Sequence, residues 1–173
     1  GVVSVGGVGF GSVVGGVEGR CRDAVAGLVS LDLRHLSGLH EYDDVSQLAR
    51  IGAGTEGPAL ETALGAHGMT LRHYPQSFEH STLGGWIATR AGGHFATLHT
   101  HIDDFVAGMS VAIPGEILTT RRLPGSGAGP SPARFIMGSE GAYGIITEAG
   151  ERLPGRPLDE ATAGYRFADF LDA

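Results

Sequence analysis

The chain predicts an α+β domain, and three observations carry that expectation. Short apolar or alternating runs are interleaved irregularly with helix signals, without the regular strand–helix alternation of a parallel sheet. A Pro-Gly pair separates two strand-like runs, the signature of a hairpin between antiparallel neighbours. Hydrophobic residues make up 42% of the 173 residues and charged residues 18%, enough apolar material for a packed core.

Taken in order, residues 2–5 form a short apolar run that reads as a strand end leading into the glycine-rich stretch of residues 6–12, GGVGFGS. Residues 28–33, LVSLDL, alternate as a strand does, and residues 45–51 read as another strand. Thr55 is a candidate helix N-cap with Pro58 in the first turn. Leu60, Ala63 and Leu64 make one apolar face of that helix, and Gly68 is its stop after His67. Ser81 or Thr82 is placed to cap a second short helix through Trp86 and Ile87. Residues 105–113 and 116–120 flank Pro114-Gly115 as the two arms of the hairpin. A Gly/Ser/Pro loop over 123–132 precedes a short helix at 133–137, a loop at 138–141 and a strand at 145–149. The pattern weakens after Pro154, and an element beginning near Tyr165 is not completed. With no Met at residue 1 and an abrupt edge at residue 173, the expectation is a segment truncated at both ends.

Composition excludes several function classes. The net charge is −7 with no basic run, which argues against a nucleic-acid surface. No apolar stretch approaches the roughly 18 residues of a membrane span. Cys21 is the only cysteine, so no disulfide forms within the chain and a cytoplasmic, reducing location is expected. Its neighbours Arg20 and Arg22 favour the thiolate, although a single loop cysteine has little chemistry alone. Thirty glycines without a fixed repeat imply many tight turns and many close backbone approaches to a neighbour or a ligand.

Chemistry-bearing candidates follow from those glycines. The loop at 6–12 has the small residues of an anion-binding nest, with a plain glycine turn as the alternative. Its spacing is not GxGxxG, because Val14 stands where the third glycine would be, so a nicotinamide-type fingerprint is not supported. His99, His101 and Asp103 alternate and would share one face of a strand, the one arrangement that suggests a metal hydrolase. No HExxH helix or thiolate pair accompanies them, and no metal is expected. Ser139 lies in GSEG and not in GxSxG, so a serine nucleophile is not supported. Residues 74–86 and 138–148 each combine glycines, hydroxyl residues and little charge, a composition suited to wrapping an extended polar ligand through backbone groups.

Those same stretches carry a resemblance. PQSFEHSTLGGWIATRAGG at residues 75–93 closely resembles the FAD-contacting segment of alkyldihydroxyacetonephosphate synthases and their bacterial FAD-linked oxidoreductase relatives. These are flavoproteins of the vanillyl-alcohol oxidase type, with a PCMH-type FAD-binding domain. HIDDFVAGMSVAIPGE at 101–116 looks like the strand and hairpin that follow in that family, and FIMGSEGAYGIITEA at 135–149 resembles its second flavin segment. SVVGGVEG at 12–19 is similar to the end of its pyrophosphate loop.

The resemblance implies that residues 1–153 are the second subdomain of that domain, a mixed or antiparallel sheet flanked by helices. The N-terminal βαβ subdomain would be missing, and residues 154–173 would be a linker and the first residues of an absent substrate domain. It implies that Gly6, Gly7, Gly9, Gly11 and Ser12 hold the FAD pyrophosphate. Gln76, Ser77, Ser81 and Thr82 would line the flavin and ribityl chain, with Gly84, Gly85, Thr89, Arg90, Ala91 and Gly92 along the same segment. Glu140, Gly141, Gly144, Ile145 and Ile146 would meet the adenosine end and the flavin edge, mainly through backbone atoms. The first glycine loop contains no histidine, so the FAD is expected to be held non-covalently. Catalytic residues and the small-molecule substrate would belong to the substrate domain, and an oligomer or a complementing chain would complete the cleft. The family loop reads GGGTS where this chain has GGVGFGS; with bulky Val8 and Phe10, a non-catalytic remnant that binds no flavin is the alternative.

Overall fold

The computed structural model describes residues 2–4, 28–94, 99, 101–122, 129–159, 161 and 163–168. The glycine loop at 6–12, with Gly6, Gly7, Gly9, Gly11 and Ser12, lies outside the described residues.

Strands β1 (Val2–Ser4) and β2 (Leu28–Ser30) pair in parallel as a two-stranded sheet. The main sheet has five strands: β3 (Leu39–Asp43), β4 (Leu48–Gly52), β5 (Val106–Ile113), β6 (Glu116–Thr119) and β7 (Ile145–Arg152). Their order is β3-β4-β7-β5-β6, every pair antiparallel. The α+β expectation holds for this sheet, while the parallel β1–β2 pair is an addition to it. Residues 5–27 separate the two strands in the sequence, in keeping with the long connections that parallel strands require.

Among the described residues, three helices accompany the sheet: α1 (Gly57–Gly65), α2 (Leu83–Thr89) and α3 (Pro132–Ile136). Pro58 stands in the first turn of α1 as expected, but the N-cap is Glu56, without a side-chain bond. Thr55 is spent elsewhere: its hydroxyl donates to the Gly52 carbonyl at 2.7 Å and accepts from the Gly38 N–H at 2.8 Å. Gly68, at φ +70°, turns the chain after α1, and the next N–H, of Met69, returns to the Leu64 carbonyl. Two strand boundaries differ from expectation. β2 stops at Ser30, and β4 begins at Leu48, because the Asp43 carboxylate accepts from the Val45 and Ser46 N–H groups and makes residues 44–47 a turn.

Alternation along the strands sorts the sheet into two faces. Ala49, Ile51 and Ala149 point toward the helices, where they pack with Leu60 and Leu64 of α1 and Leu83, Trp86 and Ile87 of α2. The opposite face carries Glu41, Arg50, Glu148 and Ser110. Arg50 donates to Glu148 at 2.8 Å and to Glu41 at 3.1 Å. Burial alone would raise the Glu148 carboxyl, but bonds from Arg50 and Ser110 outweigh it and hold it below its ordinary value. Beyond the last strand, Pro154–Arg156 still ties to the α1 exit, through Thr70 N–H to Pro154 O and Arg156 N–H to Gly68 O. Among the described residues, no helix is long and apolar enough to cross a membrane.

Candidate functional site

Helix α2 organises the two glycine-rich segments singled out in the sequence. Thr82 is its N-cap, the hydroxyl accepting from the Gly85 N–H at 3.4 Å. Ahead of it, residues 75–81 fold as a compact turn in which Ser81 Oγ donates to the Ser77 carbonyl at 2.7 Å. The Trp86 indole N–H closes the turn by donating to Ser81 Oγ at 2.6 Å. Ser81 and Thr82 are buried with their hydroxyls committed inside the fold, and Thr89 likewise donates to the Gly85 carbonyl at 2.9 Å. Gln76 stands exposed on the turn, one residue before the partly buried Ser77.

The two glycines of α2 differ in what surrounds them. A Cβ on Gly84 would sit 2.8 Å from Ala53 Cβ and 3.0 Å from the Ala53 carbonyl oxygen, so Gly84 is demanded by helix–strand packing. At Gly85 the only atom of the described residues within 4 Å would be Thr82 Oγ1, at 3.5 Å. Among the described residues, packing therefore does not require glycine at residue 85, and they leave its face of the helix open.

At its other end, α2 meets the second segment. Four carbonyls end a helix without an intrahelical partner, and a buried end needs them satisfied. Here the Ile87 carbonyl accepts from the Gly138 N–H at 3.1 Å and the Ala88 carbonyl from the Glu140 N–H at 2.9 Å. Loop 138–141 is thus a C-terminal clasp on α2, shaped by positive φ at Gly138, Glu140 and Gly141. Gly144 passes so close to β5 that a Cβ would sit 2.7 Å from Val111 Cγ1, and Ile145 and Ile146 then pair with Ala112 and Val111. The Ile146 side chain is buried in the core, which leaves its backbone as the part able to face a ligand. Arg90 ends α2 in the left-handed conformation, and Ala91 O accepts from Ile102 N–H while Gly92 bridges to His101. The helix is seven residues long, about 10 Å at 1.5 Å per residue, so residues 82–92 and 138–146 form one continuous surface around it.

The His99/His101/Asp103 alternation resolves into three separate partnerships. His101 and Asp104 cap the short 3₁₀ turn Ile102–Asp104, Asp103 pairs with Arg90 at 2.8 Å, and His99 packs its ring against Phe105 at 4.7 Å. Among the described residues no group of three or more His, Cys, Asp or Glu side chains is arranged to hold a metal ion. His73 is buried between Trp86 and Phe105; burial, and secondarily the nearby His101, push its imidazole down to about 4.

Two features were not read from the sequence. One is a cavity of about 240 Å³ beside α1, lined by Arg34, Ser37, Gly38, Thr55 and Glu56 among others. It adjoins the α2 entry, because Glu56 bridges to Thr82. The other is Asp103 as partner of Arg90, for which the only signal was its place in the polar Ile102-Asp103-Asp104 run.

Comparison with known proteins aligns with this geometry. A family model described as FAD binding domain matches residues 8–121. An alkyldihydroxyacetonephosphate synthase of Dictyostelium discoideum is 36% identical over 162 residues, 94% of this chain and 26% of the relative. The uncharacterized FAD-linked oxidoreductase YgcU of Escherichia coli K12 is 35% identical over 132 residues, 76% of this chain and 27% of that protein. A solved alkyldihydroxyacetonephosphate synthase structure superposes with a TM-score of 0.78 at 35% identity, covering 91% of this chain and 28% of that one. The chain thus spans about a quarter of the length of these relatives.

Proposed function

Because the chain belongs to the FAD binding domain family, we propose that it holds FAD non-covalently along the surface built around α2, as the cofactor-binding part of a flavin-dependent enzyme. The observation that carries the proposal is the joining of residues 82–92 to residues 138–146 by loop 138–141, which makes one wall from two segments about fifty residues apart. The open face at Gly85 supports the fit, since a side chain there would occupy space that the described residues leave empty. Gly84, Thr82 and Ser81 support the wall from behind, and backbone groups of Glu140, Gly141, Gly144, Ile145 and Ile146 serve the ligand. Loop 6–12 follows directly on β1, and ligands of parallel sheets gather beyond the carboxyl ends of strands, which suits a pyrophosphate role for Gly6, Gly7, Gly9, Gly11 and Ser12. That loop has no histidine, which favours non-covalent attachment.

Bound FAD supplies two-electron redox chemistry or, in a synthase-like enzyme, a covalent carrier for an ether-forming exchange. The chain's own residues bind, orient and exclude water from one side of it. Catalytic residues and the small-molecule substrate are assigned to a separate domain, with the boundary near residue 153, and an oligomer or complementing chain would close the cleft. One cysteine and no disulfide suit a reducing, cytoplasmic location. The family match begins within the glycine stretch, at residue 8, and counts against a remnant that has lost flavin.

The test is the visible spectrum of the purified chain after incubation with FAD and gel filtration. A co-eluting flavin band is expected, absent in Gly85→Leu and retained in Gly85→Ala, with both variants folded by circular dichroism. A folded but colourless parent chain would refute the proposal.

A further inference from the structure

Resting on the FAD reading above, we propose that Asp103 is a positioning residue for the cofactor: it acts through Arg90 to hold loop 138–141 against the end of α2. Arg90 leaves the helix at φ +52°, and its stem lies across Gly138. A Cβ on Gly138 would be 2.7 Å from Arg90 Cδ and 2.9 Å from Cγ, so glycine there lets the arginine pass over the loop. Beyond the loop the guanidinium donates to Asp103 Oδ2 at 2.8 Å.

The anchor is well founded. The Asp103 side chain is only 9% exposed, whereas that of Arg90 is 53% exposed. The turn that carries Asp103 is fixed by fully buried Ile102, whose N–H donates to Ala91 O, and by the reciprocal His101/Asp104 cap. Asp103 Oδ1 is buried and carries no hydrogen bond among the described residues, so Arg90 is the cation that balances this carboxylate. The pairing also decides what Arg90 does. With its charge met by a buried carboxylate, it serves as a strut over Gly138 and is a poor partner for a phosphate.

Without the strut, loop 138–141 keeps its two bonds to the Ile87 and Ala88 carbonyls but loses the side chain that confines it from outside. The backbone groups assigned to FAD would then have to be ordered at the moment of binding.

The experiment uses the full chain with Asp103→Asn, Arg90→Met, which keeps the stem but not the guanidinium, and Arg90→Lys, which keeps the charge. Amide hydrogen exchange at Gly138 and Glu140 reports the clasp whether or not FAD binds, with the amides of Ile51 and Leu64 as internal controls. Flavin-fluorescence titration gives the Kd, and the visible band of the bound flavin reports its surroundings. In Asp103→Asn and Arg90→Met, exchange at Gly138 and Glu140 is expected to accelerate with the controls unchanged. The FAD Kd should rise about tenfold, a common size for outer positioning contacts, the flavin band should shift, and Arg90→Lys should recover part of each effect. Unchanged exchange at Gly138 and Glu140 overturns the clasp. Faster exchange with an unaltered Kd and spectrum overturns the positioning role while leaving FAD binding intact. A parent chain that binds no FAD overturns the cofactor reading itself, and the cofactor half of this proposal with it.

Discussion

Replacing Glu151 with glutamine is expected to change the pH dependence of stability as well as its level. Glu151 sits next to the end of β7, directly opposite Ala49 of β4 and Val106 of β5, on the face that packs against the helices. It is 0% exposed, and neither carboxyl oxygen has a hydrogen bond among the described residues. Burial pushes its carboxyl well above the ordinary 4.5, and the adjacent Arg152 only partly offsets this. His73 is the counterpart, 1% exposed and pushed down from 6.5 to about 4. The two signs oppose each other. Above pH 4.5 the unfolded chain releases the Glu151 proton while the folded chain keeps it, so that contribution to stability is lost as pH rises. Below pH 6.5 the unfolded chain takes up a His73 proton that the folded chain refuses until about 4, so that contribution is lost as pH falls.

Between 4.5 and 6.5 the two slopes therefore oppose each other for as long as the folded chain keeps the Glu151 proton. Above 6.5 the Glu151 slope stands alone, and stability falls by about 1.4 kcal/mol per pH unit for as long as the buried acid keeps its proton. Glu151→Gln removes that slope. Relative to the parent, the variant should gain about 1.4 kcal/mol per pH unit above 4.5, for as long as buried Glu151 keeps its proton in the folded parent. The buried amide has a cost of its own, but that cost does not vary with pH. Groups common to both proteins drop out of the difference. The assay is urea unfolding of parent and variant at several values between about pH 5 and 8, followed by the fluorescence of Trp86, the only tryptophan and a buried one. Stability curves that run parallel across this range would show that Glu151 ionises alike in both states and would refute the reasoning.

Other expectations follow from packing and from the glycine segments. Gly84→Ala should cost about 1–3 kcal/mol by driving a methyl against Ala53, whereas Gly85→Ala should be neutral or gain about 0.5–1 kcal/mol; thermal melts of the pair decide it. Leu64→Ala empties a fully buried site beneath α1 and should lower stability by about 2–5 kcal/mol, read as a reduced urea midpoint at constant m. Replacing Val8 and Phe10 together with glycine should tighten FAD binding by letting backbone approach the pyrophosphate; an unchanged Kd by fluorescence titration would show that bulk in the loop is not the limiting feature.

Elements set by short-range chemistry were legible in the chain. The Thr82 cap and the helix after it, the Pro114-Gly115 hairpin and the glycine stop after α1 all follow from residues within a few positions of one another. Strand β3 was not legible. Its LHEYD run lies at the sheet edge, mostly exposed, so it lacks the apolar alternation that marks a strand. Thr55 was misassigned as a cap because a hydroxyl beside a helix start has more than one acceptor to choose from, and the partner it took, near Gly38, arrives from 17 residues away.

The sequence by itself determined the α+β class, the two glycine-rich segments and, through resemblance, the flavin family. Only the tertiary structure decided that those segments meet at the two ends of one seven-residue helix, and that Arg90 passes over Gly138 to reach Asp103. It also decided the fates of two glutamates three residues apart in β7. Glu148 lies on the polar face, bound to Arg50 across 98 residues of chain, while Glu151 lies in the core opposite Ala49. Capping and periodicity act over one or two turns, so a linear reading can find them. Which side of a strand is buried depends on what packs against each face of the sheet, and that is settled only when distant strands pair.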